Sequence, residues 1–190
     1  MERIPLWLIG LLCALAWMVT APASALAGAK KKVSCAAASA TVHDKASSRE
    51  QARTALLCLL NAERRKHGVR PLTENERLRA AAFGHARWMV RSRSFSHFRP
   101  SGPDLVSRLR KAKYIPSSGS WLVGENIGYG LPRRSSPADQ VRYWMTSPTH
   151  RANILNPRFQ AAGLGIYSGT PRSIARSRGA TYAVDFGSRR

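Results

Sequence analysis

Gly163-Leu164-Gly165-Ile166-Tyr167 and Tyr182-Ala183-Val184-Asp185-Phe186 decide the fold class of this chain. Both are short, rich in aliphatic and aromatic residues and bounded by turn formers, the pattern of a strand. In the second, Tyr182, Val184 and Phe186 fall on one face and Ala183 and Asp185 on the other. Residues 168–180 join the two as a basic loop containing Gly and Ser. Nearly everything upstream reads as helix. Ser47-Ser48-Arg49-Glu50 has the spacing of a capping box, and Ala52, Ala55, Leu56, Leu59, Leu60 and Ala62 then recur at helical spacing up to the stop at Gly68. Thr73-Glu74-Asn75-Glu76 repeats the capping pattern before a face of Leu78, Ala81, Ala82, His85, Ala86, Met89 and Val90, which predicts a second helix to about Arg93. Pro103-Asp104 opens a third helix, with Pro at its first position. Residues 113–120 read as a Pro/Ser/Gly linker, and Trp121–Gly128 as extended chain. Ser136-Pro137 opens a fourth helix, and Ser147-Pro148 a short fifth one that Asn156-Pro157 stops. Helices first and strands late predict an α+β layered domain.

Working outward to the N-terminus, Met1-Glu2-Arg3 precedes an apolar run, Ile4–Val19, followed by small residues to Ala29 and then Lys30-Lys31-Lys32. The run has 16 residues, short for a membrane span and suited to a signal peptide. Cleavage is expected after Ala23, Ala25, Ala27 or Ala29, with an uncleaved anchor as the alternative. Cys13 follows Leu12 and not a small residue, which argues against a lipoprotein signal. The reading is therefore residues 1–29 as signal peptide, 30–46 as a basic flexible tail and 47–190 as one domain. No other stretch is apolar enough to span a bilayer, so the mature chain is expected to be secreted or periplasmic, without a transmembrane segment. In an oxidising compartment Cys35 and Cys58 form an even pair, and a disulfide between them would tie the tail to the first helix. Two free thiols, with Cys58 as a small core residue, is the other reading.

The 190 residues carry 31 Lys and Arg, 24 of them Arg, against 10 Asp and Glu, a formal charge of +21. A hydrophobic content of 44% excludes a disordered chain. The cations have two readings: a carboxylate- or phosphate-rich partner, such as an anionic wall polymer, lipid or membrane surface, or a general bias toward Arg that serves solubility. Nucleic acid is the last-ranked partner. An exported protein rarely meets it, and Trp88, Trp121 and Trp144, read as core residues, are not interleaved with cations as in a base-stacking platform.

Hydrolase and nucleotide-binding motifs such as HExxH, GxSxG, paired CxxC and the P-loop are absent. The polar residues that stand out lie at the edges of elements: His97 after the second helix, Glu125 between Gly124 and Gly128, and His150 in the first turn of the fifth helix. The positive end of that helix disfavours an imidazolium, and a neutral imidazole is what a divalent metal requires. Two imidazoles and a carboxylate with an open position would suit zinc, although the spacing alone also fits scattered surface histidines. The ordinary role for Glu125 is an ion pair with a nearby Arg. His85 reads as a hydrogen-bonded core histidine, and His43 and His67 as surface residues.

Seven blocks then fall in one order: Leu60-Asn61-Ala62-Glu63-Arg64 with Gly68 and Pro71-Leu72; His85-Ala86 and Met89; Phe95-Ser96-His97; Gly124-Glu125-Asn126-Ile127; Trp144-Met145 with Ser147-Pro148; His150-Arg151-Ala152-Asn153-Ile154-Leu155; and Gly163 with Gly165 and Asp185-Phe186-Gly187. On these the chain, from about Ala55 to Gly187, resembles the CAP superfamily (cysteine-rich secretory proteins, antigen 5, pathogenesis-related 1), and within it the bacterial YkwD-like secreted branch. The resemblance implies a three-layer α-β-α sandwich with a central, mostly antiparallel sheet. It also implies an open cleft holding two His and two acidic residues. His97, Glu125 and His150 match three of these, and the position of the second acid holds Ser147. Some members of the superfamily bind divalent metal through the two His, others bind sterols or other lipids in grooves, and proteolysis has been attributed to a few. The expectation is a secreted, non-enzymatic binding module acting at the cell envelope or outside the cell, its His97 and His150 able to hold zinc or another divalent metal. The alternative is a metal-dependent extracellular hydrolase using His97 and His150, with Glu125 as its catalytic residue.

Overall fold

The computed structural model describes residues 34–43, 45–100, 102–172 and 179–190. The expected signal peptide, the lysines at 30–32 and residues 173–178 of the 168–180 loop lie outside the described residues. The strands are β1 (Thr73–Glu74), β2 (Trp121–Gly130), β3 (Ala161–Ser168) and β4 (Ala180–Arg189); the helices are α1 (Ala46–Lys66), α2 (Glu76–Arg91), α3 (Leu105–Lys111), α4 (Pro137–Thr146) and α5 (Pro148–Leu155). The strands form one sheet in the order β1-β3-β4-β2. β4 pairs antiparallel with β2 and β3, and only the two-residue β1 runs parallel, beside the start of β3.

The alternation in β4 sorts the two helical layers. Tyr182, Val184 and Phe186 pack with Leu56 and Leu60 of α1, Trp144 of α4 and Ile154 of α5. Ala183 faces the other way, toward Ala82, Ala86 and Met89 of α2. Leu78 and Ala81 of α2 meet Leu109 of α3 and the buried Tyr114 and Ile115 on that same side. Helices therefore cover both faces of a mostly antiparallel sheet, the α-β-α sandwich that the resemblance implies. Gly165 sets the spacing of one layer. A Cβ there would run into the α2 backbone at Ala82 and Phe83, so the helix rests directly on β3.

The ends of the elements differ from the sequence reading where tertiary pairing takes over local signals. α1 begins at Ala46 with no side-chain cap. Ser47, the capping residue that spacing predicts, lies inside the helix, and the Ser48 Oγ accepts the backbone N–H of His43 at 2.9 Å. Asn75, not Thr73, caps α2, accepting from Arg77 and Leu78 N–H, because Thr73 and Glu74 are drawn into β1. Asp104 caps α3 by accepting from Ser107 N–H, which leaves Pro103 before the helix. The stretch 113–120 is more than a linker, since Tyr114 and Ile115 are buried. Trp144 is core, but Trp121 is 38% exposed and Trp88 only half-buried, against the core reading of all three.

Residues 34–43, read as part of a flexible tail, are held against the body. Cys35 is disulfide-bonded to Cys58 of α1. Ala38 C=O accepts from Ala138 N–H at the start of α4, Val42 is buried in the core, and His43 C=O accepts from Ser168 Oγ. The composition is small and polar, but one apolar residue with a slot to fill and one covalent link are enough to dock the segment. A second fastening closes the far end of α1. The buried Arg64 guanidinium donates to the carbonyls of Arg70, Ile154, Asn156 and Phe159, joining α1 to the end of α5.

Candidate functional site

The site assembles where β2 passes between the two helical layers. Residues alternate across a strand, so Glu125 points toward α2 and α3 while Asn126 points toward α5. On the first side, Glu125 Oε1 accepts from His97 Nδ1 at 2.8 Å and Oε2 accepts from Arg108 Nη2 at 2.5 Å. Arg108, on α3, is buried and also donates to the carbonyls of His97 and Pro103. His85, on α2, is fully buried, lies 3.8 Å from the Glu125 carboxylate and donates from Nε2 to Ser96 C=O at 3.0 Å. His97 is thus held at three points: its ring by Glu125, its carbonyl by Arg108, and the preceding peptide by His85. Of its side chain 44% remains exposed. Glu125 itself is part of the ion pair that is its ordinary expectation, and His85 is the hydrogen-bonded core histidine the sequence predicts.

On the second side, Asn126 Nδ2 donates to His150 C=O at 3.0 Å, and Asn153 Nδ2 donates to Glu125 C=O and Asn126 Oδ1. These bonds seat the first turn of α5 on β2. The His150 ring lies beside Tyr143 and Trp144, with centroids 6.2 and 6.4 Å away, and its Nδ1 is buried without a hydrogen-bond partner. Ser147 is the hinge between α4 and α5. Its N–H donates to Trp144 C=O and its C=O accepts from Arg151 N–H, and its side chain caps nothing.

Burial is the leading cause of each shifted protonation. It pushes the His150 imidazole below its usual value, and the nearby His97 adds to this. It pushes His85 down to about 4, with Arg108 and Arg99 helping and Glu125 opposing. Burial also raises Glu125, but the His97 hydrogen bond and the nearby His85 and Arg108 outweigh it and hold the carboxyl below its usual value. Asp185 behaves oppositely. It lies directly across the β2–β4 pair from Glu125, is fully buried, and neither of its oxygens has a hydrogen-bond partner. Burial, reinforced by the Glu125 charge, raises its carboxyl well above the ordinary range.

The structure therefore brings His97 and Glu125 together directly, and places His150 close enough to feel the charge of His97. Asp185, Arg108 and the involvement of His85 were not predicted as parts of the site. The available signal was Asp185, an acid in the middle of an apolar strand. Among the described residues no three His, Cys, Asp or Glu side chains are placed to hold a metal ion. What the site offers a divalent cation is two imidazoles. One is fixed by a carboxylate on its Nδ1, the usual outer arrangement of a ligating histidine; the other keeps an unspent Nδ1.

Comparison with known proteins agrees with this architecture. The family described as "CAP: Cysteine-rich secretory protein family" matches residues 57–183. The chain is 36% identical over 107 residues to YkwD of Bacillus subtilis (strain 168), covering 56% of this chain and 39% of that protein. It is 32% identical over 111 residues to the membrane protein YlbC of the same organism, covering 58% and 30%. The chain thus spans less than half the length of these relatives. An extracellular SCP-domain protein of Bacillus anthracis str. Ames superposes with a TM-score of 0.60 at 25% identity, over 75% of this chain and 43% of that one. An outer surface protein of Borrelia burgdorferi superposes with a TM-score of 0.61 at 19% identity, over 74% and 95%, a likeness of fold.

Proposed function

From the premise that this chain belongs to the cysteine-rich secretory protein (CAP) family, we propose that it is a secreted, non-enzymatic binding module of the cell envelope or its exterior. The observation that carries this reading is the state of Glu125. Both of its oxygens are engaged, one by His97 and one by Arg108, in a buried setting that keeps the carboxylate ionised. A general base needs a free oxygen within reach of substrate. Glu125 has spent both on positioning, and Ser147 supplies no second acid. The extracellular and outer-surface settings of the structural neighbours support the location. The +21 charge suits a partner rich in carboxylate or phosphate, an anionic wall polymer or lipid surface.

His97 and His150 would hold a divalent metal such as zinc, with Glu125 orienting the first ring. Bound there, the metal would supply an electrophilic centre with open positions for a ligand oxygen. With two protein ligands, affinity in the micromolar range is expected. The test is zinc titration by calorimetry on the chain lacking residues 1–29, beside His97→Ala and His150→Ala, with retention on isolated anionic wall polymer measured at low and high salt. Zinc binding lost in both variants, and retention that falls steeply with salt, support the reading. A folded protein that binds no anionic polymer at low salt would sink the module. Chelator-sensitive turnover abolished in Glu125→Gln would replace it with a hydrolase.

A further inference from the structure

Beside the histidine site, between the end of β2 and α4, lies an open cleft of about 790 Å³ that neither His97, Glu125 nor His150 lines. Tyr129 and Tyr143 give it aromatic walls, Arg134, Arg142 and Arg172 surround it, and Gln140 lies in it. Gln140 is 4% exposed, and its Nε2 is buried with no hydrogen-bond partner. A buried amide donor left unpaired is unfavourable, and a turn of the amide into the cleft would let it meet an acceptor that arrives from outside. The chain makes room for that amide at Gly128, where any Cβ would collide with it. Two of the cations are also unspent. Among the described residues Asp139 is the one acid lining the cleft, and it is engaged by Ser136 Oγ and Arg142. Arg134 and Arg172 have no carboxylate partner among the described residues. The Tyr143 residue is 61% exposed.

An unpaired donor favours a ligand oxygen, exposed guanidinium groups without an ion pair favour carboxylates, and an exposed tyrosine ring in an open trough suits the C–H face of a sugar. An acyl chain would instead require an enclosed slot that buries most of its surface. We propose that this cleft binds a strand of carboxylated polysaccharide, with sugar faces on Tyr129 and Tyr143, carboxylates on Arg134 and Arg172, and Gln140 donating to a sugar oxygen. The proposal rests on the binding-module reading and gives that module a ligand site separate from the two histidines.

The test uses hexagalacturonate as probe, cellohexaose as neutral control and phosphatidylglycerol vesicles as lipid control, on the folded, disulfide-bonded chain lacking residues 1–29. Hexagalacturonate is expected to bind and to shift the NMR signals of Tyr129, Gln140 and Tyr143. Loss of two charge-assisted contacts in Arg134→Ala/Arg172→Ala is expected to weaken binding about tenfold or more. Gln140→Met is expected to weaken it several-fold while its Tm stays at or above that of the parent, because an unsatisfied buried donor has been removed. His97→Ala is expected to leave it unchanged. If the parent binds hexagalacturonate but only Arg87→Ala/Arg91→Ala on α2 weakens it, the cleft assignment is overturned and the module reading stands. If the folded parent binds neither hexagalacturonate nor wall polymer at low salt, both fall. Equal affinity for cellohexaose, or preference for the vesicles, overturns the carboxylated-glycan assignment.

Discussion

Asp185 and His85 are buried titratable groups on the same side of the sheet, and they pull stability in opposite directions as pH changes. Asp185 keeps in the fold a proton that the unfolded chain loses near pH 4, so above about pH 4 each rise in pH favours the unfolded state until the raised pKa is reached. His85, pushed down to about 4, refuses in the fold a proton that the unfolded chain takes up near 6.5. Its contribution is complete above about pH 6.5 and is lost as pH falls toward 4. Asp185→Asn keeps the shape and removes the first effect. Relative to the parent, this variant is expected to gain stability steadily between about pH 4 and 7, leaving a profile that rises through the His85 window. Urea midpoints across that range measure both trends. An advantage that does not change with pH would show that Asp185 is ionised in the fold. Why the sequence pointed to His97, Glu125 and His150 but not to Asp185 is physical. The first three stand at element edges, where polar residues draw notice. Asp185 owes its role to a cross-strand neighbour 60 positions away, a contact that only the β2–β4 register creates.

At the scale of elements, periodicity made the helices legible, and the β4 alternation correctly split the core between two layers. What local pattern missed were the places where a distant segment competes for the same residues. Thr73 and Glu74 look like a cap but pair with β3, and Tyr114 and Ile115 sit in a Ser/Gly-rich stretch but fill the space between α2 and α3. Arg64 is the most informative such case. It follows the apolar face of α1 as a buried cation with no carboxylate, satisfied wholly by four carbonyls from two loops and the end of α5. Only a planar fork with several donors meets that set, so Arg64→Lys is expected to be no conservative change. Loss of two or three charge-assisted bonds in a buried site corresponds to about 2–4 kcal/mol, read as a lower guanidinium chloride midpoint with unchanged slope. A midpoint within error of the parent would mean that the four carbonyls are satisfied without the fork.

For the molecule as a whole, the question is how an N-terminal segment of small residues comes to support a binding cleft. The Cys35–Cys58 disulfide spans 23 residues and fixes the segment to α1, and its next contacts lead away from α1. Ala38 reaches the first turn of α4 at Ala138, two residues before Gln140 of the cleft, and Val42 enters the core shared by α1, α4 and the sheet. The segment thus ties the scaffold helix to the helix that presents Gln140 and Arg142. Removing the crosslink frees the unfolded chain, a loss of about 3 kcal/mol for a loop of this length in the chain-entropy model. It also removes the tether that holds Ala38 against α4. Cys35→Ser/Cys58→Ser is therefore expected to lower the denaturant midpoint and, under conditions where the core remains folded, to speed exchange of the Ala138 amide more than that of amides in β4. Such a local opening separates a docking role from a purely entropic one, because a crosslink acting only on the unfolded state would change all globally protected amides alike. Ala138 exchange that keeps pace with β4 would leave the disulfide as a brace on the unfolded chain and detach the N-terminal segment from the cleft.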